Sequence, residues 1–370
     1  MKASRLIRIF SSLSVGIVLI SALSWLALAQ VSGSINRIDV FSGLKLRPEK
    51  ASSALNYLLV GSDTREGLTK AEQRLLKVGS TKTAAGARSD TILLVHISKA
   101  RDKVVMISIP RDSLAVVPAH IGLDGKSQIP EVQAKINAAF AWGGAPLLIQ
   151  TLEAKTNLHI DHYIEIGFAG FAAMVDAIGG IEVCTKRDIN DPKSHLILPA
   201  GVHTLNGIES LKYVRTRDFD GMGDLGRMQR QQQFMSAVLK KVTSSGTLLN
   251  PIKLTNFFNA AMSTIKTDSE LNKNDLITLA KQLRNLSASK VRTLTIPLEN
   301  TNANIAGIGS VVVWDSILAP ELFQRLRDDQ AIIDDLTPSP SASSSTKPET
   351  KLIDKFKTRS ADENPCGALK

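Results

Sequence analysis

The runs Thr91-Ile92-Leu93-Leu94-Val95-His96-Ile97 and Val104-Val105-Met106-Ile107-Ser108-Ile109 decide the fold. Both are rich in β-branched and apolar residues, and Lys99-Ala100-Arg101-Asp102 between them reads as a hairpin turn. Strands joined this closely run antiparallel, since a parallel pair needs a long crossover. Upstream, Asn56-Tyr57-Leu58-Leu59-Val60 reads as a buried strand ending at Gly61, and polar residues 66–87 as a mobile surface loop. Downstream, 135–156 has helical spacing broken by Gly143-Gly144. Tyr163–Ile166 reads as a short strand and 168–178 as a small-residue helix, with Gly179-Gly180 turning into Ile181-Glu182-Val183. A strand end is expected at Tyr213-Val214, then a helix from Arg227 to about Val242. Amphipathic segments near 251–265 and 273–287, a strand at Val291–Ile296 and a helix near 315–327 complete the series. Strands alternating with helices around one hairpin predict an α/β layer architecture with a mixed central sheet.

Length and composition permit one large domain with appendages or two average ones. The chain has 370 residues, 43% hydrophobic and 22% charged, and a net charge of +10, which points to an anionic partner. From Leu6 to Val31 no charge follows Arg8, and roughly 20 apolar residues suffice to cross a bilayer as a helix. Lys2, Arg5 and Arg8 precede the span, so residues 1–8 are expected in the cytoplasm, 9–31 in the membrane and the rest outside. Ala27-Leu28-Ala29 offers a signal-peptide cleavage site, but the span is long for a signal h-region, which favours an uncleaved anchor. Either reading exports the basic body and argues against nucleic acid as its partner. Residues 32–54 read as a stem, 55–335 as the folded domain, and 336–370, rich in Pro, Ser, Thr and Lys, as a disordered tail.

The chemistry concentrates at four places. Gly61-Ser62-Asp63-Thr64-Arg65 follows one strand, Arg88-Ser89-Asp90-Thr91 opens the next, and Ser108-Ile109-Pro110-Arg111-Asp112 closes the third. In layered α/β folds the ligand crevice lies at strand ends. The fourth place is Tyr213-Val214-Arg215-Thr216-Arg217-Asp218 with Arg227-Met228-Gln229-Arg230-Gln231. Clustered guanidinium groups repel one another, and their rigid donor forks match phosphate oxygens. Asp63 and Asp90 either pair with Arg65 and Arg88 or hold magnesium, which takes one or two carboxylates plus phosphate oxygens. Gly221-Met222-Gly223-Asp224-Leu225-Gly226 matches a dinucleotide fingerprint but follows polar residues, not a buried strand. Gly125-Lys126-Ser127 lacks the leading glycine of a P-loop, because His120 stands there. The six histidines show no HExxH spacing, with His159 and His162 read as surface or packing residues, and no GxSxG elbow is present.

These motifs, with Lys135-Ile136-Asn137-Ala138-Ala139, Val175 to Ile181 and Leu205-Asn206-Gly207, resemble the LytR-CpsA-Psr family of bacterial cell-envelope proteins between about Leu55 and Asp329. The resemblance implies a three-layer α-β-α fold on a membrane anchor. It also implies a phosphotransferase that moves a glycopolymer from a polyprenyl pyrophosphate carrier to peptidoglycan at the outer face of the cytoplasmic membrane. In that reading Arg88, Arg111, Arg215 and Arg217 bind the pyrophosphate, and Asp63 and Asp90 hold Mg2+. Arg227 and Gln231 line the same pocket, and Arg65 and Arg230 fit the pattern. An apolar groove for the lipid would involve Phe168, Phe171, Met174, Phe234 and Val238, each of which also suits core packing. A lipid-pyrophosphate hydrolase and a non-catalytic binder of polyprenyl phosphates are the alternatives. Asp90 and Asp218 are candidate bases, and Cys184 is expected to pair with Cys366 and tether the tail.

Overall fold

The structure is a computed structural model and describes residues 36–64, 67–76, 89–244, 265–283, 286–336, 351–363 and 366. The expected membrane span at 9–31, Arg65, Arg88 and residues 251–264 lie outside the described residues. Among the described residues no helix is long and apolar enough to cross a membrane.

Among the described residues, the central sheet contains β1 (Asn36–Ile38), β2 (Leu55–Ser62), β3 (Ser89–Ile97), β4 (Val104–Ile109), β5 (His162–Ile166), β6 (Ile265–Asp268), β7 (Val291–Thr295) and β8 (Arg359–Ser360). Their spatial order is β1-β6-β5-β2-β3-β4-β7-β8. The pairs β2–β3 and β3–β4 are antiparallel, whereas β2–β5 and β4–β7 are parallel, so the sheet is mixed as the hairpin requires. The helices described are α1 (Lys70–Leu76), α2 (Ile136–Thr156), α3 (Phe168–Ala177), α4 (Gly207–Arg215), α5 (Gly223–Ser244), α6 (Lys273–Gln282) and α7 (Leu318–Arg327).

Side chains alternate across each strand, and both faces are covered. Leu58, Val60, Ile92, Leu94, Val105 and Ile107 pack with Leu148 and Leu152 of α2 and Leu322 and Phe323 of α7. Tyr57, Leu93, Ile97 and Met106 face the other way, toward Met235 and Leu239 of α5 and Leu276 and Leu279 of α6. That gives three layers, helix on sheet on helix. A flanking cluster joins α3, α4 and α5 to the hairpins Ile181–Thr185/Gly201–Leu205 and Ile189–Asp191/Leu196–Leu198. Gly207 lets α4 approach α3, because a Cβ there would lie 2.3 Å from the Ala172 carbonyl oxygen. The α2 helix kinks at Gly144 (φ 64°), two residues before Pro146, as the glycine pair predicted.

Several sequence expectations change. Tyr213–Arg215 is the last turn of α4, not a strand end. Ile208, Leu211 and Val214 recur every three residues on its packed face, and Asn206 starts it with a reciprocal capping box to Glu209. Helix α5 begins four residues before Arg227 and absorbs Gly223 and Gly226 into its first turn. Residues 298–314 form a hairpin, Leu298–Ile305 with Gly309–Trp314, that mostly exposed polar positions concealed.

The expected stem does not stand apart: β1 joins the sheet edge, Val40 and Phe41 are buried, and Arg47 bonds Glu153 of α2 at 2.7 Å. Nor is the whole tail disordered. Residues 351–353 pair with 334–336, β8 extends the sheet beyond β7, and Phe356 and Ala361 are buried. A Cys184–Cys366 disulfide holds the end of this segment against the flanking hairpin, with the Cα atoms 5.8 Å apart. Average composition missed these few apolar anchors, whereas the covalent one is the expected cysteine pair.

Candidate active site

A cavity of about 340 Å³ opens where β2 and β4 end and β3 begins. Its body is apolar, with Leu59, Leu93 and Met106 below and Phe168, Phe171 and Phe234 above. Arg215, Arg217, Arg227, Gln231, Lys193 and Ser194 supply the polar part of its lining. A hydrocarbon body joined to cationic groups matches an amphiphile with an anionic head.

Local structure explains the cationic part. Helix α4 ends at Arg215, and the chain turns extended at Thr216 (φ −61°, ψ 139°). Thr216 is fully buried, donating its hydroxyl to the Tyr213 carbonyl at 2.7 Å, while the flanking Arg215 and Arg217 both line the cavity. On α5, Arg227, Gln231 and Met235 stand four residues apart and share that face. Asp224 bridges two of the arginines, meeting Arg227 at 2.9 Å and Arg217 at 3.2 Å. Arg215 lies 5.0 Å from the centre of the Phe168 ring, a cation–π contact where polar and apolar linings meet.

Asp191, which carried no sequence signal, positions Arg217. Its carboxylate is buried in the 189–198 hairpin, where one oxygen accepts the backbone N–H groups of Lys193 and Ser194 at 2.8 Å each. The other accepts those of Arg217 and Asp218. Burial alone would raise its pKa, but these four N–H bonds outweigh it and hold the carboxyl down at about 2. The charge is thus fixed beneath the arginine loop.

A family model described as LytR_cpsA_psr matches residues 29–318. The chain belongs to the LytR-CpsA-Psr family.

Among LytR-CpsA-Psr relatives, the chain is 36% identical over 317 residues to "Probable cell wall biosynthesis protein LcpB" of Corynebacterium glutamicum, covering 85% of this chain and 69% of that one. It is 29% identical over 272 residues to a polyisoprenyl-teichoic acid–peptidoglycan teichoic acid transferase, TagU, of Oceanobacillus iheyensis, covering 72% and 73%. The solved structure "TagT bound to LIIa-WTA" is similar at 25% identity with a TM-score of 0.56, covering 79% of this chain and 99% of that one.

The LytR-CpsA-Psr motif residues divide into those that reach the cavity and those that build it. Arg215, Arg217, Arg227, Gln231, Phe168, Phe171 and Phe234 line it. Arg230 is buried beneath the loop instead: it donates to the Thr216 carbonyl at 2.6 Å, pairs with Asp220 and stacks 4.7 Å from the Phe219 ring. Expected as a substrate ligand, it holds the 216–220 loop. Met174 packs with Ile265 and Leu276 near β6, and Val238 packs in the flanking cluster, so both serve the core rather than the lining. Arg111 follows β4 with its Nε 3.6 Å from Asp112, and its carbonyl accepts the N–H of Asn137, explaining that motif. Asp176 accepts the Gly207 N–H at 2.7 Å and pins α4 to α3. Asp218 pairs with Lys193 at 2.7 Å. His162 packs at a tilt against Tyr57, 4.9 Å between ring centres, with its Nδ1 3.4 Å from Asp268, and His159 meets the Pro48 carbonyl at 2.8 Å. Ser194, Gln232 and Met235 also line the cavity, where polar and apolar types mix without a motif.

The two aspartates sit on neighbouring strands. Gly61 pairs with Thr91 and Ser62 with Ser89, so Asp90 is the extra residue of a β-bulge and Asp63 directly follows the bulged pair. Beside them the Ser89 hydroxyl is fully buried and has no hydrogen-bond partner among the described residues. Two aspartates at adjacent strand ends, with the buried Ser89 hydroxyl in the same bulge, are the residue types that suit a magnesium ion that also takes phosphate oxygens.

Proposed function

We propose that this protein transfers a glycopolymer from a polyprenyl pyrophosphate carrier to peptidoglycan, held at the outer face of the cytoplasmic membrane by residues 9–31. The observation that carries the reading is the amphiphilic cavity, whose arginine-lined part joins an apolar body between sheet and α5. Phosphoryl transfer demands alignment and charge neutralisation more than covalent help from the protein. Arg215, Arg217 and Arg227 clamp the pyrophosphate, Arg88 and Arg111 act beside them from the strand ends, and Gln231 donates to a phosphate oxygen. Asp63 and Asp90 would hold Mg2+, which supplies further neutralisation of the phosphate charge. A sugar hydroxyl of the acceptor attacks the phosphorus that carries the glycan. The new P–O ester forms as the P–O–P bridge breaks, the hydroxyl proton passes to water, and polyprenyl phosphate leaves.

Incubating the full chain with a lipid-pyrophosphate-linked glycan, magnesium and peptidoglycan oligomers tests this. Mass spectrometry should find glycan phosphate joined to the oligomer and polyprenyl phosphate released. Free glycan phosphate in equal yield with or without acceptor would make the protein a hydrolase. Binding without turnover would make it a recognition protein.

A further inference from the structure

A second cavity, of about 460 Å³, lies on the far side of one side chain. Gln232 of α5 and Thr293 of β7 line both cavities. The two spaces differ in character. The first is mostly apolar, with Leu, Phe and Met side chains, whereas in the second Lys240, Lys241, Arg359, Asp362 and Glu363 mix with Val183, Val202, Ala237 and Ala361. The shared wall is built rigidly: the Gln232 side-chain amide is buried and donates to Ser108 Oγ and to Thr295 Oγ1, at 3.0 Å each. Those bonds use both amide hydrogens, which removes the cost of placing the group against hydrocarbon and fixes its rotamer. Behind it the Thr293 hydroxyl meets the Arg359 carbonyl of the C-terminal segment at 3.4 Å.

We infer that Gln232 is the partition that ends the hydrocarbon cavity, and so sets how many isoprene units of the lipid carrier the protein shelters from water. The inference rests on the proposed lipid-pyrophosphate reading and adds a specificity-determining residue to it. A tail that fills the apolar body gains from each unit buried. A tail that reaches Gln232 meets a locked amide, which closes off a further space that Val183, Val202, Ala237 and Ala361 line in part. Removing the amide joins the two cavities and lets the tail run on past Thr293.

The test is direct binding, not turnover. The full chain is titrated with lipid pyrophosphates whose isoprenoid tails grow one unit at a time, using isothermal titration calorimetry. For the native protein, Kd should fall at least about tenfold per added unit while the tail is buried, then level off. Gln232→Ala should move the levelling point to tails at least one unit longer. Gln232→Asn, too short to reach both hydroxyls but still an amide, should do the same and carries the test if the alanine variant melts. Variants that fold and level off at the native tail length would overturn the partition. A native protein whose affinity ignores tail length would overturn the lipid reading of the cavity, and the partition with it.

Discussion

Replacing Asp191 by Asn changes one atom and should undo the arginine loop. The native carboxylate accepts four backbone N–H groups from two chain segments, Lys193-Ser194 and Arg217-Asp218. An amide presents an acceptor to one pair and an NH2 donor to the other, leaving two N–H groups facing a donor. Holding the carboxyl at about 2 rather than 3.8 is worth about 2 kcal/mol at neutral pH, at roughly 1.4 kcal/mol per pH unit. The folded pKa is depressed, so this contribution is complete above pH 3.8 and is lost as pH falls through about 2. Urea unfolding of the two proteins should therefore differ by about 2–3 kcal/mol at pH 7, and the gap should narrow as the pH approaches 2. Transfer should drop at least tenfold because Arg217 loses its backbone anchor, a figure equal to about 1.4 kcal/mol of transition-state stabilisation. An Asp191→Asn protein with native stability at pH 7 and native transfer would refute the argument that this buried charge organises the site.

Arg217→Ala should reduce transfer by roughly a hundredfold or more, and Arg217→Lys should not restore it, since an ammonium cannot reproduce the planar donor fork; native rates in either variant would remove Arg217 from the clamp. Chelation with EDTA should abolish transfer, and added magnesium should restore it, while lipid transfer unaffected by EDTA would dismiss the Asp63–Asp90 metal assignment. The Cys184–Cys366 bond spans 182 residues of sequence, so Cys184→Ser should cost up to about 5 kcal/mol by loop-closure entropy, read as a lower urea midpoint. A midpoint unchanged in Cys184→Ser would show that the tail holds without its covalent tie.

The central layer was legible because its information is local. Apolar density in 55–60, 91–97 and 104–109 marks strands buried on both faces, and a four-residue polar turn forces an antiparallel pair. The arginine motif was legible because always-charged groups are rarely crowded without an anion. The α4 end at Tyr213–Arg215 was misread because a β-branched residue beside an aromatic imitates a strand over three positions, and the helical period shows only from Ile208 onward. Arg230 and Arg227 lie three residues apart in one motif, yet the turn of a helix aims one at a loop carbonyl and the other at the cavity.

The sequence alone therefore determined the layer class and the basic, phosphate-matching character of the site, because composition, period and spacing carry those directly. Only the tertiary structure decided that residues 36–54 and most of the C-terminal segment belong to the folded body, since their anchors are single residues, Phe41, Arg47 and Phe356, whose partners lie far away in sequence. It alone brought Asp191 beneath Arg217 and set Gln232 between two cavities. A buried carboxylate and a buried amide acquire meaning from the donors and hydroxyls packed around them, and no sequence spacing records that packing.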